Sequence, residues 1–465
     1  MAERLWTSDE ILAATGGRLV GPAFAADGVS IDSRTLAPGD LFVAISETRD
    51  GHQFSPQAFA AGAAGALVAR PVAGPCVVVD DTLEALRRLG EAARRRAPSA
   101  RRGAVTGSVG KTSVTQAVRA GLALAGAAHG SVKSYNNHIG VPLSLARMPR
   151  LTQRAVFEIG MNHAGEIAPL SRMVAPHAVA ITNVGAVHVE NFPDGEAGVA
   201  RAKAEIFAGL EPDGVAVLNA DSRWFDDLRT AAERVGARVR AFGSAKASDA
   251  RLTGFWPQAD GARVEALIDG QALNFTVRQR GAHWGSMSLC ALLMMTALDV
   301  DLTMATAALA AFAPLEGRGA EQRIALPGGE AILIDESYNA NPISVAAALD
   351  TLGGRPATGR RIVALTDMLE LGVEAPQYHA GLAVAIEAAR IDLVFCAGPL
   401  MKSLWEALPP TRRGAYARTA AELSPRLAQA VEPGDVVMVK GSRDSQAKVL
   451  AQAMADLGAA AGEGA

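Results

Sequence analysis

The sequence predicts an α/β protein of three domains, and three observations lead there. At 465 residues the chain exceeds what one core usually encloses. Short apolar runs alternate with helical stretches from Ala104 to about Pro314 and again from Ala331, the pattern of parallel sheets wrapped by helices. Between the first such strand and its helix lies a glycine-rich turn, Thr106-Gly107-Ser108-Val109-Gly110-Lys111-Thr112-Ser113. The expected division is a small N-terminal α/β domain over 1–80, a central phosphate-loop domain with a parallel sheet over 81–314, and a C-terminal doubly wound, Rossmann-like domain over 315–465.

The glycine turn is an anion trap. Gly103-Ala104-Val105 reads as a strand end and Val114 to Leu122 as a helix. Backbone N–H groups at a helix start point at phosphate, and the helix dipole adds positive charge. Lys111 would reach the outer phosphates of a nucleotide and Thr112 would sit on Mg²⁺. The general Walker pattern asks for a glycine where Val105 stands, so this is a shortened loop, Gly-x-x-Gly-Lys-Thr. A plain turn with a surface lysine would not require strand, glycines, Lys-Thr and helix in this order.

Composition narrows the partners. Apolar residues make up 49% and charged residues 20%, a globular balance. A net charge of −3, from 45 basic and 48 acidic residues, gives no reason to expect a nucleic-acid surface. Cys76, Cys290 and Cys396 lie scattered in apolar runs, with neither metal nor disulfide spacing, which suits a reducing cytoplasm. Met1 to Trp6 lacks a signal-peptide core, and no long uncharged apolar span follows. Small cytoplasmic substrates, no membrane span and a monomer are expected.

Taken in order, residues 1–80 read as short strands separated by Gly/Pro turns, with a strand Leu41 to Ile45 and a small-residue helix Pro56 to Ala64. Ser33 and Arg34 follow a strand and would suit a phosphate or a uracil edge, although a turn with an exposed arginine is the simpler account. Asp81 to Arg102 reads as one linker helix whose arginine-rich end is a solvated face. Central strands are expected at Ala155–Ile159, Ala178–Thr182 and Gly214–Leu218. C-terminal strands are expected at Ala331–Asp335, Arg361–Leu365, Leu393–Ala397 and Val436–Lys440, with an Ala/Gly-rich tail from Leu457.

Ligands in such sheets bind beyond the carboxyl ends of the strands, and several polar residues fall there. Glu158 ends a strand beside the phosphate loop and offers Mg²⁺ a hard oxygen; a capping acid would look the same. His188 follows a strand end and reads equally as a ligand or a structural histidine. Lys203, in a helix from Glu196 to Leu210, reads as a surface lysine. Asp335 to Pro342 is a dense polar loop in which Asn341 is also a natural N-cap and Pro342 a first helical residue. Lys440-Gly441-Ser442-Arg443 suits a carboxylate or phosphate.

Taken together the motifs resemble the Mur ligases. The matching stretches are the phosphate loop, Asn136 to Pro142, Glu158 to His163, His188-Val189-Glu190, Ala202 to Phe207, Tyr338 to Pro342 and Val439 to Arg443, in family order over nearly the whole chain. The resemblance implies an ADP-forming amide ligase of cell-wall precursor synthesis that uses ATP and Mg²⁺. Gly107, Ser108, Val109, Gly110, Lys111, Thr112 and Ser113 would hold the ATP phosphates. Thr112 and Glu158 would bind one Mg²⁺; His188 and a carbamylated Lys203 would bind a second. Arg318 and Asp335 would reach ATP from the C-terminal domain. Ser33 and Arg34 would belong to a UDP-binding N-terminal domain, and Asn136 and Asn137 would face a UDP-N-acetylmuramoyl-tripeptide. Tyr338, Asn339 and Asn341 would help form the D-Ala-D-Ala and nucleotide side of the cleft, and Lys440, Ser442 and Arg443 would bind substrate.

Three positions depart from the family pattern. Trp284 stands where an amide usually meets adenine, which shifts that contact toward stacking. Thr366 replaces a usual glycine, and Gln446-Ala447 occupies the region of a usual Met-Glu pair. A folylpolyglutamate synthetase shares the short loop, but the separate domain before it argues against that reading. A phosphate-loop NTPase switch would not need a second polar cluster around Tyr338 and Lys440.

Overall fold

The computed structural model describes residues 4–47, 49–132 and 134–462. Three main sheets follow one another along the chain. The first has five strands in the order Arg18–Val20, Cys76–Val78, Gly65–Val68, Asp40–Val43, Gly28–Ser30, parallel except for its Arg18–Val20 edge. The second has nine, with Arg101–Thr106 between Ala178–Ile181 and Arg154–Glu158. The third has six, in the order Ala320–Leu326, Gly329–Glu336, Val436–Lys440, Arg361–Thr366, Leu393–Ala397, Arg413–Ala417, and only its first pairing is antiparallel.

The phosphate-loop strand sits where the nine-stranded sheet reverses its winding. From Arg101–Thr106 the chain moves outward to Ala128–Gly130, back to Arg154–Glu158, then across to Ala178–Ile181. Such a switch point opens a crevice at the strands' carboxyl ends. Ala178–Ile181 and its neighbour Val215–Asn219 are buried on both faces and read as near-continuous apolar runs, as a helix-covered parallel sheet requires.

Four sequence expectations need correction. The central sheet is not wholly parallel: Ala250–Gln258, Gly261–Ile268 and Gln271–Val277 extend it as antiparallel hairpins. The second hairpin turns on Asp269 and Gly270, both at positive φ (+50° and +81°), the backbone a tight two-residue hairpin turn demands. The linker helix stops at Arg95, and Arg101-Arg102 open the next strand; Pro98 between them cannot continue a helix. The arginine run is not a solvated face throughout: Arg96 lies 4.0 Å over the Trp6 ring, and Arg102 is buried with Nε donating to the Val174 and Ala175 carbonyls. The N-terminal region also holds a helix, Ser8–Thr15, whose Thr7 and Glu10 form a capping box.

Packing divides the molecule unequally. One apolar cluster runs from Leu5 to Ala237 and joins the five-stranded sheet to a face of the central sheet. The C-terminal sheet carries two clusters of its own, both formed only of residues beyond Gly319. The first two units therefore share a core, while the third keeps its own and meets them at contacts that include Arg318 with Thr112 and Glu370 with His188, an arrangement compatible with rigid-body closure.

Trp6 pins the first unit to the second: it is 2% exposed, and its Nε1 donates to the Ala146 carbonyl at 2.8 Å. Trp6→Ala is expected to cost about 3–5 kcal/mol in denaturant titration. A loss below about 1 kcal/mol would show that this contact does not hold the units together.

Candidate active site

The phosphate loop turns on two glycines whose positive φ strains any residue with a side chain. Gly107 lies at φ +149°, and a Cβ there would fall 1.9 Å from Thr182 Oγ1; Gly110 lies at φ +84°, with Met287 Cε 2.4 Å from its missing Cβ. The Ala178–Ile181 strand end supports the loop: Ser108 and Val109 donate their N–H groups to Asn183, at its carbonyl (3.0 Å) and Oδ1 (2.8 Å). Gly110 precedes the Lys111–Leu124 helix with no side-chain cap, so the first N–H groups remain open to an anion. Lys111 Nζ donates to the Gly107 carbonyl at 2.6 Å, curling over the loop. Burial lowers its ammonium from the usual lysine value, with Glu158 opposing and Arg318 reinforcing the shift.

Beside the loop, Thr112 ties three elements together. Its hydroxyl donates to Glu158 Oε2 at 2.6 Å and accepts from Arg318 Nη2 at 3.0 Å, with Ser134 Oγ at 2.8 Å. Asn136 Nδ2 holds the other Glu158 oxygen at 2.6 Å. Glu158 is 1% exposed, yet both oxygens are satisfied. A hydroxyl and a fixed carboxylate form the hard-oxygen pair that Mg²⁺ takes when nucleotide phosphates and water complete its shell. Among the described residues no group of three His, Cys, Asp or Glu side chains could hold a metal alone.

The C-terminal unit supplies the opposite wall. Arg318 reaches Thr112 and stacks 4.0 Å from the Tyr338 ring. Lys440 Nζ donates to Glu336 Oε2 and the Asn339 carbonyl, both at 3.1 Å. Asn341 caps the Pro342–Gly353 helix, accepting from Ser344 N at 2.9 Å. The cleft between the walls measures about 400 Å³ and is lined by Lys111, Arg318, Lys440 and Arg443 against Glu158 and Glu336. That excess of cations suits a polyanion.

Most of the expected site residues meet there: Ser108 to Ser113, Asn136, Glu158, His188, Trp284, Arg318, Tyr338, Asn339, Asn341, Lys440 and Arg443 all line the cleft. Others stand behind or away from it. Asn137 accepts from the Ile139 and Gly140 N–H groups, and Asp335 accepts from Gly317 N and Ser337 N. Ser442 Oγ accepts from Leu369 N. Ser33 bonds Gln57, and Arg34 forms an exposed fork with Asp32, both on the five-stranded unit. Trp284 is only 6% exposed and packs 5.9 Å from the Phe312 ring, so most of its indole belongs to the core.

Lys203 overturns its reading as a surface lysine. It is 3% exposed, near the end of the Glu196–Ala204 helix, which then tightens to 3₁₀ geometry over Glu205–Gly209. Burial pushes its ammonium well below the usual lysine range, and the Lys111 charge adds to this. Small neighbours at Ala202 and Ala204 make the position look surface-tolerant, and only the fold turns it inward.

Sequence reasoning missed Ser134, Met287 and Ile343. Ser134 lies in a turn without apolar periodicity. Met287 reads as ordinary helix, and its role is to pack under Gly110.

Comparison with known proteins agrees with this geometry. A family model described as Mur ligase middle domain matches residues 105–295, and one described as Mur ligase, glutamate ligase domain matches residues 322–443. The chain is 34% identical over 447 residues to the UDP-N-acetylmuramoyl-tripeptide–D-alanyl-D-alanine ligase of Escherichia coli (strain K12), covering 95% of this chain and 96% of that protein. It is 30% identical over 439 residues to the Bacillus subtilis (strain 168) ligase described in the same words, covering 92% and 93%. A crystal structure of MurF from Acinetobacter baumannii superposes with a TM-score of 0.83 at 29% identity, over 97% of this chain and 98% of that one.

A buried amine with a depressed pKa binds fewer protons folded than unfolded. Stability therefore rises with pH between the folded value and the unfolded value near 10.4, and is reduced below that window. In carbonate-free buffer at pH 7, Lys203→Met is expected to raise Tm, by about 2–4 °C for each kcal/mol recovered. The gap should close toward pH 10. A lower Tm for the variant at neutral pH would contradict this account of Lys203.

Proposed function

The chain belongs to the Mur ligase family, and we propose that it joins D-alanyl-D-alanine to UDP-N-acetylmuramoyl-tripeptide in an ADP-forming amide ligation. The observation that carries this reading is the meeting of Lys111, Thr112 and Glu158 with Arg318 from the other wall of one cleft. Three domains, 1–80, 81–314 and 315–465, then divide the work among the UDP-linked substrate, ATP and the dipeptide.

The reaction runs in two steps. A carboxylate oxygen of the tripeptide forms a bond to the γ-phosphorus of ATP; the bond from that phosphorus to the β–γ bridging oxygen breaks, and ADP leaves. The dipeptide amine then attacks the acyl carbon of the acyl phosphate. The tetrahedral species collapses, the carbon–oxygen bond to phosphate breaks, and the amine loses its proton. Two anions must meet in the first step, so the site has to cancel charge where it develops. Lys111 and Arg318 would grip the transferring phosphoryl group, and the loop N–H groups would hold the phosphates behind it. Closure of the C-terminal unit excludes water and makes each of these contacts stronger.

Thr112 and Glu158 would hold one Mg²⁺, and His188 with a carbamylated Lys203 a second; bound there, Mg²⁺ would screen phosphate charge. A neutral amine is the form that reacts with CO₂, and Lys203 is held toward neutrality by its surroundings. Carbamylation also converts its repulsion from Lys111 into attraction. Asn136 and Asn137, with Ser33 and Arg34, serve the UDP-linked substrate. Tyr338, Asn339, Asn341, Lys440, Ser442 and Arg443 serve the dipeptide, and Trp284 offers its edge to the base. Both walls of the cleft come from the same chain, so the proposed reaction needs no residue of a second copy. No helix among the described residues is long and apolar enough to cross a membrane, and the charged substrates suit the cytoplasm.

Phosphate release with UDP-muramoyl-tripeptide should depend on ATP, Mg²⁺ and D-Ala-D-Ala together. Arg318→Ala is expected to lower kcat about 10²–10³-fold. Release at the same rate without the dipeptide would contradict the ligase reading.

A further inference from the structure

His188 and Glu370 share a backbone peculiarity, and they meet. Both lie in the left-handed region, at φ +56° and +63°, which costs a residue with a side chain of order 1–3 kcal/mol. His188 follows the Ala178–Ile181 strand of the central sheet, and Glu370 follows the Arg361–Thr366 strand of the C-terminal sheet. Their side chains approach from the two units: His188 Nδ1 lies 2.6 Å from Glu370 Oε2, at ion-pair distance although the angle falls short of a hydrogen bond. The turns beside them also touch, Val189–Asn191 against Gly372–Glu374. Gly372 lies at φ +64° beside Glu190; a Cβ there would make only ordinary contact, 3.5 Å from the Glu190 Cβ, so the left-handed backbone and not crowding is what favours glycine. Strain held at two facing loops of separate units indicates a junction under functional constraint.

An imidazole has two nitrogens. With the Glu370 carboxylate at ion-pair distance from Nδ1, Nε2 is the nitrogen left to the cleft that His188 lines. A carboxylate on one ring nitrogen fixes the tautomer and makes the other a better metal donor. We propose that Glu370 is a positioning residue for the metal site at His188, and that the site is completed only when the C-terminal unit brings Glu370 across. This rests on the two-metal reading given above. By linkage, metal affinity at His188 and closure of the units then reinforce each other.

The test is Mn²⁺ titration followed by electron paramagnetic resonance, with a non-hydrolysable ATP analogue holding the full chain closed. Two Mn²⁺ per chain are expected in the parent protein. Glu370→Ala should leave the tighter site intact and weaken the other about 10–100-fold. Glu370→Gln, which keeps an acceptor oxygen, should recover part of that loss, and His188→Ala should abolish the weaker site. Glu370 is half exposed, so neither substitution opens the core. Two sites in the parent with unchanged affinities in Glu370→Ala would overturn the proposal and leave the two-metal reading standing. Equal weakening of both sites would assign Glu370 a general structural role and overturn it as well. One site in the parent would remove the two-metal reading and the proposal with it.

Discussion

The Thr112 hydroxyl is the point on which the structure depends. It has one proton to give, and gives it to Glu158; its lone pairs then receive Arg318 from the other unit. A carboxylate, a hydroxyl and a guanidinium thus form one short chain across the cleft. Remove the hydroxyl and a buried carboxylate loses a partner while an arginine loses its landing place, each at a cost of about 1–3 kcal/mol. The glycines of the loop, the Asn183 support and the Asn136 amide hold that chain in register with the first turn of the Lys111–Leu124 helix.

Unequal packing gives the site its second property. An apolar cluster shared by the first two units makes them one platform, whereas the C-terminal sheet keeps separate clusters. On the proposed reading, closure would trade few buried apolar contacts and be governed by polar and charged pairs: Arg318 on Thr112, Glu370 on His188. A polyanion bound between the walls would attract the cations of both, so nucleotide binding and closure would be coupled through the same side chains.

The phosphate loop was legible because strand, glycines, Lys-Thr and helix must lie in contiguous sequence. Glu158 and the Asn341 cap were legible for the same reason, as each sits at a strand end or helix start that local pattern announces. Lys203 was not, because its neighbours Ala202 and Ala204 fit either an exposed or a buried helix face, and only the tertiary fold decides. The Glu370–His188 contact spans two sheets and leaves no local trace. The hairpin at Asp269-Gly270 did carry a short-range signal, the Asp-Gly pair between alternating strands; it was hidden by the helix–strand alternation around it. Trp284 shows the converse limit, since substitution of an expected amide suggested stacking on a base, and the fold spends most of the ring against Phe312.

The central claim is that a phosphoryl group passes to the substrate carboxylate between Lys111 and Arg318. The most direct measurement labels that carboxylate with ¹⁸O and follows the label through one turnover by mass spectrometry of the released phosphate. Transfer through an acyl phosphate places one substrate oxygen in each phosphate. Phosphate that carries no label from the carboxylate would contradict the account.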